Sequence, residues 1–132
     1  MASTRSGKNV KTLAERWNGT TWAVQSTPTP TSRTLLGGTL SGGVSCTSST
    51  ACVADGFSYS KKSMRLLGEG WNGHTWSTQP DATPVVAAES TGISCTWAKD
   101  CMAVGGMLSG KTLAEHWNGR KWSALTTKHD GD

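Results

Sequence analysis

One hairpin-like segment, present three times, limits what this chain can become. Lys11-Thr-Leu-Ala-Glu-Arg-Trp-Asn-Gly-Thr-Thr-Trp22 returns as Lys111-Thr-Leu-Ala-Glu-His-Trp-Asn-Gly-Arg-Lys-Trp122. A looser copy reads Arg65-Leu-Leu-Gly-Glu-Gly-Trp-Asn-Gly-His-Thr-Trp76. Their leading tryptophans, Trp17, Trp71 and Trp117, stand 54 and then 46 residues apart. A second segment occurs twice, as Gly43-Val-Ser-Cys-Thr-Ser-Ser-Thr-Ala-Cys52 and Gly92-Ile-Ser-Cys-Thr-Trp-Ala-Lys-Asp-Cys101. Repetition at this period means one supersecondary unit stacked on copies of itself, and the length suits a four-stranded blade.

The repeated Leu-Ala-Glu stretch has helical composition, but the middle copy places Gly68 and Gly70 inside it. Two glycines within one turn weaken a helix. Asn-Gly follows in every copy and favours a tight β-hairpin. A two-residue turn at Asn18-Gly19 sets Trp17 opposite Thr20 and Glu15 opposite Trp22. Pleat alternation then collects Leu13, Glu15, Trp17, Thr20, Trp22 and Val24 on one face. The other face is slim, with Ala14 and Ala23, Gly68 and Ser77, or Ala114 and Ser123. Bulky face on slim face is a void-free way to stack such units.

In the middle unit the expected strands cover residues 43–47, 51–59, 63–71 and 74–79. The organisation is a partial first blade with linker (1–42), a second blade with linker (43–91), a third blade (92–127) and a tail (128–132). The first blade lacks its opening strand and cysteine pair. Residues 26–42 and 79–91 are rich in Pro, Thr and Gly, and read as long connections. The fold class is all-β, an incomplete β-propeller of two to three four-stranded blades. A β-trefoil, also built from three four-stranded repeats, is the alternative.

At its WNGxxW and C-x5-C units the chain resembles repeat proteins of secreted bacterial β-propellers. The resemblance covers about residues 1–125 and implies stacked blades. It implies little about activity, because propellers host many functions. Closed propellers need about four to eight blades. Self-association, or neighbouring blades of a longer array, is therefore the expected way of completing a ring.

Cys46 and Cys52, like Cys95 and Cys101, are spaced for a cross-hairpin disulfide. Two such pairs point to an oxidising compartment, secreted or cell-surface. Zinc would require closer cysteine pairs or suitably spaced histidines, which His74, His116 and His129 do not provide. No metal or other cofactor is expected. The six repeated tryptophans are assigned to packing between units, with Glu15, Glu69 and Glu115 as acceptors for their indole N–H groups. Trp97 is different: it has no repeat counterpart and sits between Cys95 and Cys101. It heads the candidate ligand contacts, with His74, Arg120 and Lys121 on the turns that should share its rim.

The remaining classes are excluded on composition and motif. The net charge of +4 comes from scattered basic residues, without a basic helix or stacking motif, so no nucleic-acid partner is expected. No stretch is long and apolar enough to span a bilayer, and residues 1–10 carry no signal peptide. The repeated glutamates fall one per unit, and no P-loop, G-x-S-x-G or HExxH motif occurs, so the chain is not expected to be an enzyme. The reading is a binding module with carbohydrate as the favoured ligand and self-association as its route to a complete propeller. A structural or protein-interaction scaffold is the alternative.

Overall fold

Each Trp-Asn-Gly segment is a hairpin, closed by its own asparagine. Asn18 Oδ1 accepts the backbone N–H groups of Thr20 and Thr21, both at 2.8 Å. Asn72 does the same for His74 and Thr75, and Asn118 for Arg120 and Lys121. Gly19, Gly73 and Gly119 follow with φ of 99°, 97° and 89°, a region open to glycine and costly for other residues. The side-chain bonds widen the turn to four residues. Trp17 therefore faces Trp22, and Glu15 faces Val24, correcting the expected register by two positions. Trp71 faces Trp76 and Trp117 faces Trp122 in the same way. A shift of two is one full pleat, so the same side chains still share a face.

The computed structural model describes residues 2–6, 9–28, 35–61, 64–80, 88–107 and 109–128, and these are all-β with no helix. The first unit comprises β1 (Ala2–Ser6), β2 (Asn9–Trp17) and β3 (Trp22–Gln25). The second comprises β4 (Leu35–Ser48), β5 (Ala51–Ser60), β6 (Met64–Trp71) and β7 (Trp76–Gln79). The third comprises β8 (Ala88–Trp97), β9 (Asp100–Met107), β10 (Thr112–Trp117) and β11 (Trp122–Ala124). Each is an antiparallel meander of neighbouring strands.

One parallel bridge, Val10 to Gly37, ties the first unit to the second. Among the described residues no ladder joins the second to the third. Antiparallel meanders stacked in this way are consistent with propeller-like packing. The expected connections also hold strand, since β4 begins at Leu35 and β8 at Ala88. Glycine-rich composition made 35–42 read as linker, but this stretch pairs with the outer half of β5 through irregular register. Of the expected tail, residues 129–132 lie outside the described residues.

The core lies in two seams between units. Ala14 of the first unit meets Leu40, Ala54, Leu67 and Trp76 of the second. Val53 and Leu66 of the second meet Cys101, Ala103, Trp117 and Trp122 of the third. Alternation along β5 and β6 sends one set of side chains to each seam. Trp122 is fully buried against Gly68, where an added Cβ would overlap the indole nitrogen. Bulky face thus rests on slim face, as the repeats require.

The indole acceptors differ from those expected. Trp76 Nε1 donates to Gln25 Oε1 and Trp122 Nε1 to Gln79 Oε1, each at 2.9 Å and each across a seam. Trp71 and Trp117 donate at 3.2 Å to the carbonyls of Ser49 and Ala98, in the first turn of their own units. Glu15, Glu69 and Glu115 receive none of these bonds. Their side chains lie on the bulky face beside the indoles, whereas the glutamines reach across from the opposing slim face.

Candidate binding site

Both cysteine pairs are disulfides, Cys46–Cys52 and Cys95–Cys101, each linking residues directly opposite on neighbouring strands. Their Cα atoms lie 3.9 and 4.0 Å apart. This marks an oxidising environment. No helix of the described residues is long and apolar enough to cross a membrane.

Trp97, at the tip of the second clamped hairpin, is 56% exposed. The neighbouring turn of its unit carries Arg120 and Lys121, both exposed, and Gly119 of that turn packs on Lys99. Trp97, Arg120 and Lys121 thus lie on neighbouring turns of one unit. His74 occupies the corresponding turn of the second unit, where Gly73 packs on Thr50. Among the described hydrogen bonds and ring contacts, none joins Trp97 to His74, Arg120 or Lys121. None of the four lines the cleft between the first and second units. Beside Trp97, Asp100 bonds Thr96 and, at 2.6 Å, His116. The Thr96 hydroxyl and the His116 ring hold the Asp100 carboxyl below the ordinary carboxylate range.

A concave site lies elsewhere, at the seam of the first and second units. It is a cleft of about 490 Å³ lined by Trp17, Trp22, Trp71 and Trp76, with Arg16, Gln25, Ser49 and the Cys46–Cys52 disulfide among its other walls. Trp17 and Trp22 pair with ring centroids 5.6 Å apart, and Trp71 and Trp76 at 5.7 Å. Arg16 Nη1 and Trp71 Nε1 both donate to the Ser49 carbonyl, at 3.3 and 3.2 Å. The volume falls in the usual range for a small-molecule site, and mainly apolar walls with a few convergent polar groups are its usual composition.

The opening has a plain structural cause. At the second seam β8 lies against β4, with the Cys95 N–H donating to Ser45 Oγ at 3.0 Å, and Ile93 and Cys95 pack on the core. The first unit's described residues supply only three strands, with no counterpart of β8. Val44 and Cys46, on the second unit's wall, are left exposed. The sequence already signalled this, because the first unit has no copy of the Gly-Val-Ser-Cys segment. Assigning all six indoles to packing concealed the consequence: Trp17 and Trp22 are exposed, and neither ring N–H has a described acceptor.

Buried carboxylates are a further feature. Asp55 and Glu69 are sealed from solvent, and burial pushes each carboxyl up to about 7. Asp55 Oδ2 accepts from the Ser90 hydroxyl across the second seam, whereas neither oxygen of Glu69 has a partner among the described residues. Glu115 is equally buried and Glu15 is exposed. Among the described residues no cluster of three or more His, Cys, Asp or Glu side chains is placed to hold a metal ion.

Fold and cleft together define a class, a disulfide-clamped stack of all-β repeat units with an indole-lined opening at one seam. No protein-family model, curated protein or solved structure matches the chain.

Proposed function

We propose that this chain is a non-catalytic, glycan-binding module of a secreted or surface-exposed propeller-type stack, and that the cleft between its first two units is the binding site. The observation that carries this reading is the convergence of four indoles with Arg16, Gln25 and the Ser49 carbonyl around an open cleft. A sugar ring offers an apolar C–H face for an indole and equatorial hydroxyls for planar polar groups. Flat aromatic walls with a guanidinium and an amide at their edge suit both. Binding rather than catalysis is favoured by the carboxylates, because Glu69 and Glu115 are buried and Glu15 lines the cleft without a second carboxylate beside it, whereas glycoside hydrolysis ordinarily uses two. The likeness of the WNGxxW and C-x5-C modules to secreted bacterial propellers supports the compartment, as do the disulfides.

A glycan array, followed by titration of the intrinsic tryptophan fluorescence with the retained sugars, tests this. Arg16→Ala should weaken retention about tenfold, the loss expected for one charge-assisted hydrogen bond, without lowering the melting temperature. Trp97→Ala should leave retention unchanged. Retention lost with Trp97→Ala and kept with Arg16→Ala would move the site to the rim, and an empty array would remove the glycan reading.

A further inference from the structure

Repeat stacks need polar outer faces on their end units to stay apart in water. Among the described residues, the first and third units each leave an apolar face exposed. On the first unit Trp22 is 66% exposed, and Trp17 and Val24 lie exposed on the same face of the hairpin, opposite by alternation to the Gln25 that bonds Trp76, although Trp17 and Trp22 also line the cleft. On the third unit Met102, Val104 and Leu125 lie exposed on the face turned away from the second. By alternation they surround Ala114, the small residue in the place of Ala14 and Gly68.

The third unit also departs from the second in an informative direction. Val104 stands where the second unit has Asp55, and Leu125 stands where it has Gln79. Inside the chain that aspartate and glutamine face a seam. At the outer end, where water would favour polar residues, they are replaced by apolar ones.

We propose that the two end faces join between copies of this chain, Trp22 of one copy seating over Ala114 of the next as Trp76 seats over Ala14 and Trp122 over Gly68. The contact is head-to-tail. Each copy offers an indole face at one end and a slim apolar face at the other, and such a contact gives a ring when the rotation between copies closes, as the propeller-like stacking of the units favours. Leu125 denies the incoming Trp22 the amide acceptor found at both internal seams. The intermolecular seam is correspondingly weaker than the internal ones and is held by apolar contact. Trp22 also lines the glycan cleft, whereas Met102, Val104 and Leu125 line no part of it, so the slim-face variants test assembly without altering the cleft.

Analytical ultracentrifugation and native mass spectrometry decide it. The wild-type chain should form closed multiples of its 13.9 kDa mass at micromolar concentration. Trp22→Glu and Val104→Asp should each be monomeric, with wild-type far-ultraviolet circular dichroism. Mixed together, they should give a one-to-one dimer, because each retains the face that the other has lost. Leu125→Lys provides a second slim-face variant, to be mixed with Trp22→Glu should Val104→Asp not fold. A monomeric wild type, or folded face variants that stay assembled, would overturn the proposal. So would a Trp22→Glu mixture with a folded slim-face variant that yields no mixed dimer.

Discussion

The indole nitrogen of Trp122 lies 2.9 Å from the side-chain oxygen of Gln79, and this bond crosses the seam between two repeat units. Trp76 and Gln25 repeat the relationship at the other seam. Spacing three residues from one hairpin tryptophan thus sets the acceptor for the tryptophan of the following unit.

Gln79→Ala should destabilise the chain by about 1–3 kcal/mol in chemical denaturation, the cost of leaving a buried donor unpaired. Gln25→Ala should behave alike. Leu125→Gln, at the outer end where no indole of the same chain arrives, should leave monomer stability unchanged. An equal loss from all three would mean that the amides act through local strand preference and not through the seam.

Gly68→Ala should cost about 1–3 kcal/mol, because the methyl group would overlap the Trp122 ring and lie within 2.9 Å of Gln79 Oε1. In an exposed strand the same substitution would be neutral or helpful. Restoration of stability by Trp122→Phe in the Gly68→Ala background would locate the conflict at that ring.

Stability should fall as the pH rises. Asp55 and Glu69 ionise near 3.8 and 4.5 when unfolded and at about 7 in the folded chain. The folded state therefore holds more protons than the unfolded state between those values. Stability from these groups is complete below about pH 4 and is lost as the pH passes about 7. Melting temperatures measured across that window should decline, and Asp55→Asn with Glu69→Gln should flatten the slope. A wild-type curve that rises over the same window would contradict the assignment.

Each disulfide closes a loop with a sequence separation of 6, so its removal should cost about 2 kcal/mol on the chain-entropy model. Serine replacement of Cys95 and Cys101 should be the more damaging of the two, because Cys101 is buried in the second seam while Cys46 is exposed beside the cleft. Comparing thermal unfolding of the two paired variants measures this directly.

Much of the architecture was legible in the residues. The Asn-Gly turns, the period-two alternation around each tryptophan pair and the paired cysteines act over a few residues, where local chemistry decides the outcome. The glycines of the middle copy correctly excluded a helix. The turn length was misjudged because Asn18 uses its side chain on two backbone donors, which turns it into a four-residue loop. The extent of β4 was missed because Leu35 to Leu40 owe their strand to a partner in β5 and not to their own propensity.

Of the candidate contacts, Trp97 lies exposed on a disulfide-clamped tip, and Arg120 and Lys121 lie on the neighbouring turn. The cleft was not foreseen, although the missing cysteine segment in the first unit was. Identical sequence motifs led to identical expectations for all six indoles. Their surroundings nevertheless run from the sealed Trp122 to the open Trp22.

By itself the sequence determined the unit: a Trp-Asn-Gly hairpin with a heavy face and a slim one, repeated and clamped by local disulfides, because those features depend on neighbours along the chain. Only the tertiary structure decided which indoles are core and which are surface, which amide serves which ring, and where a cleft opens. These depend on whether another unit lies against a given face, and that is a property of position in the stack which copies of one motif cannot encode.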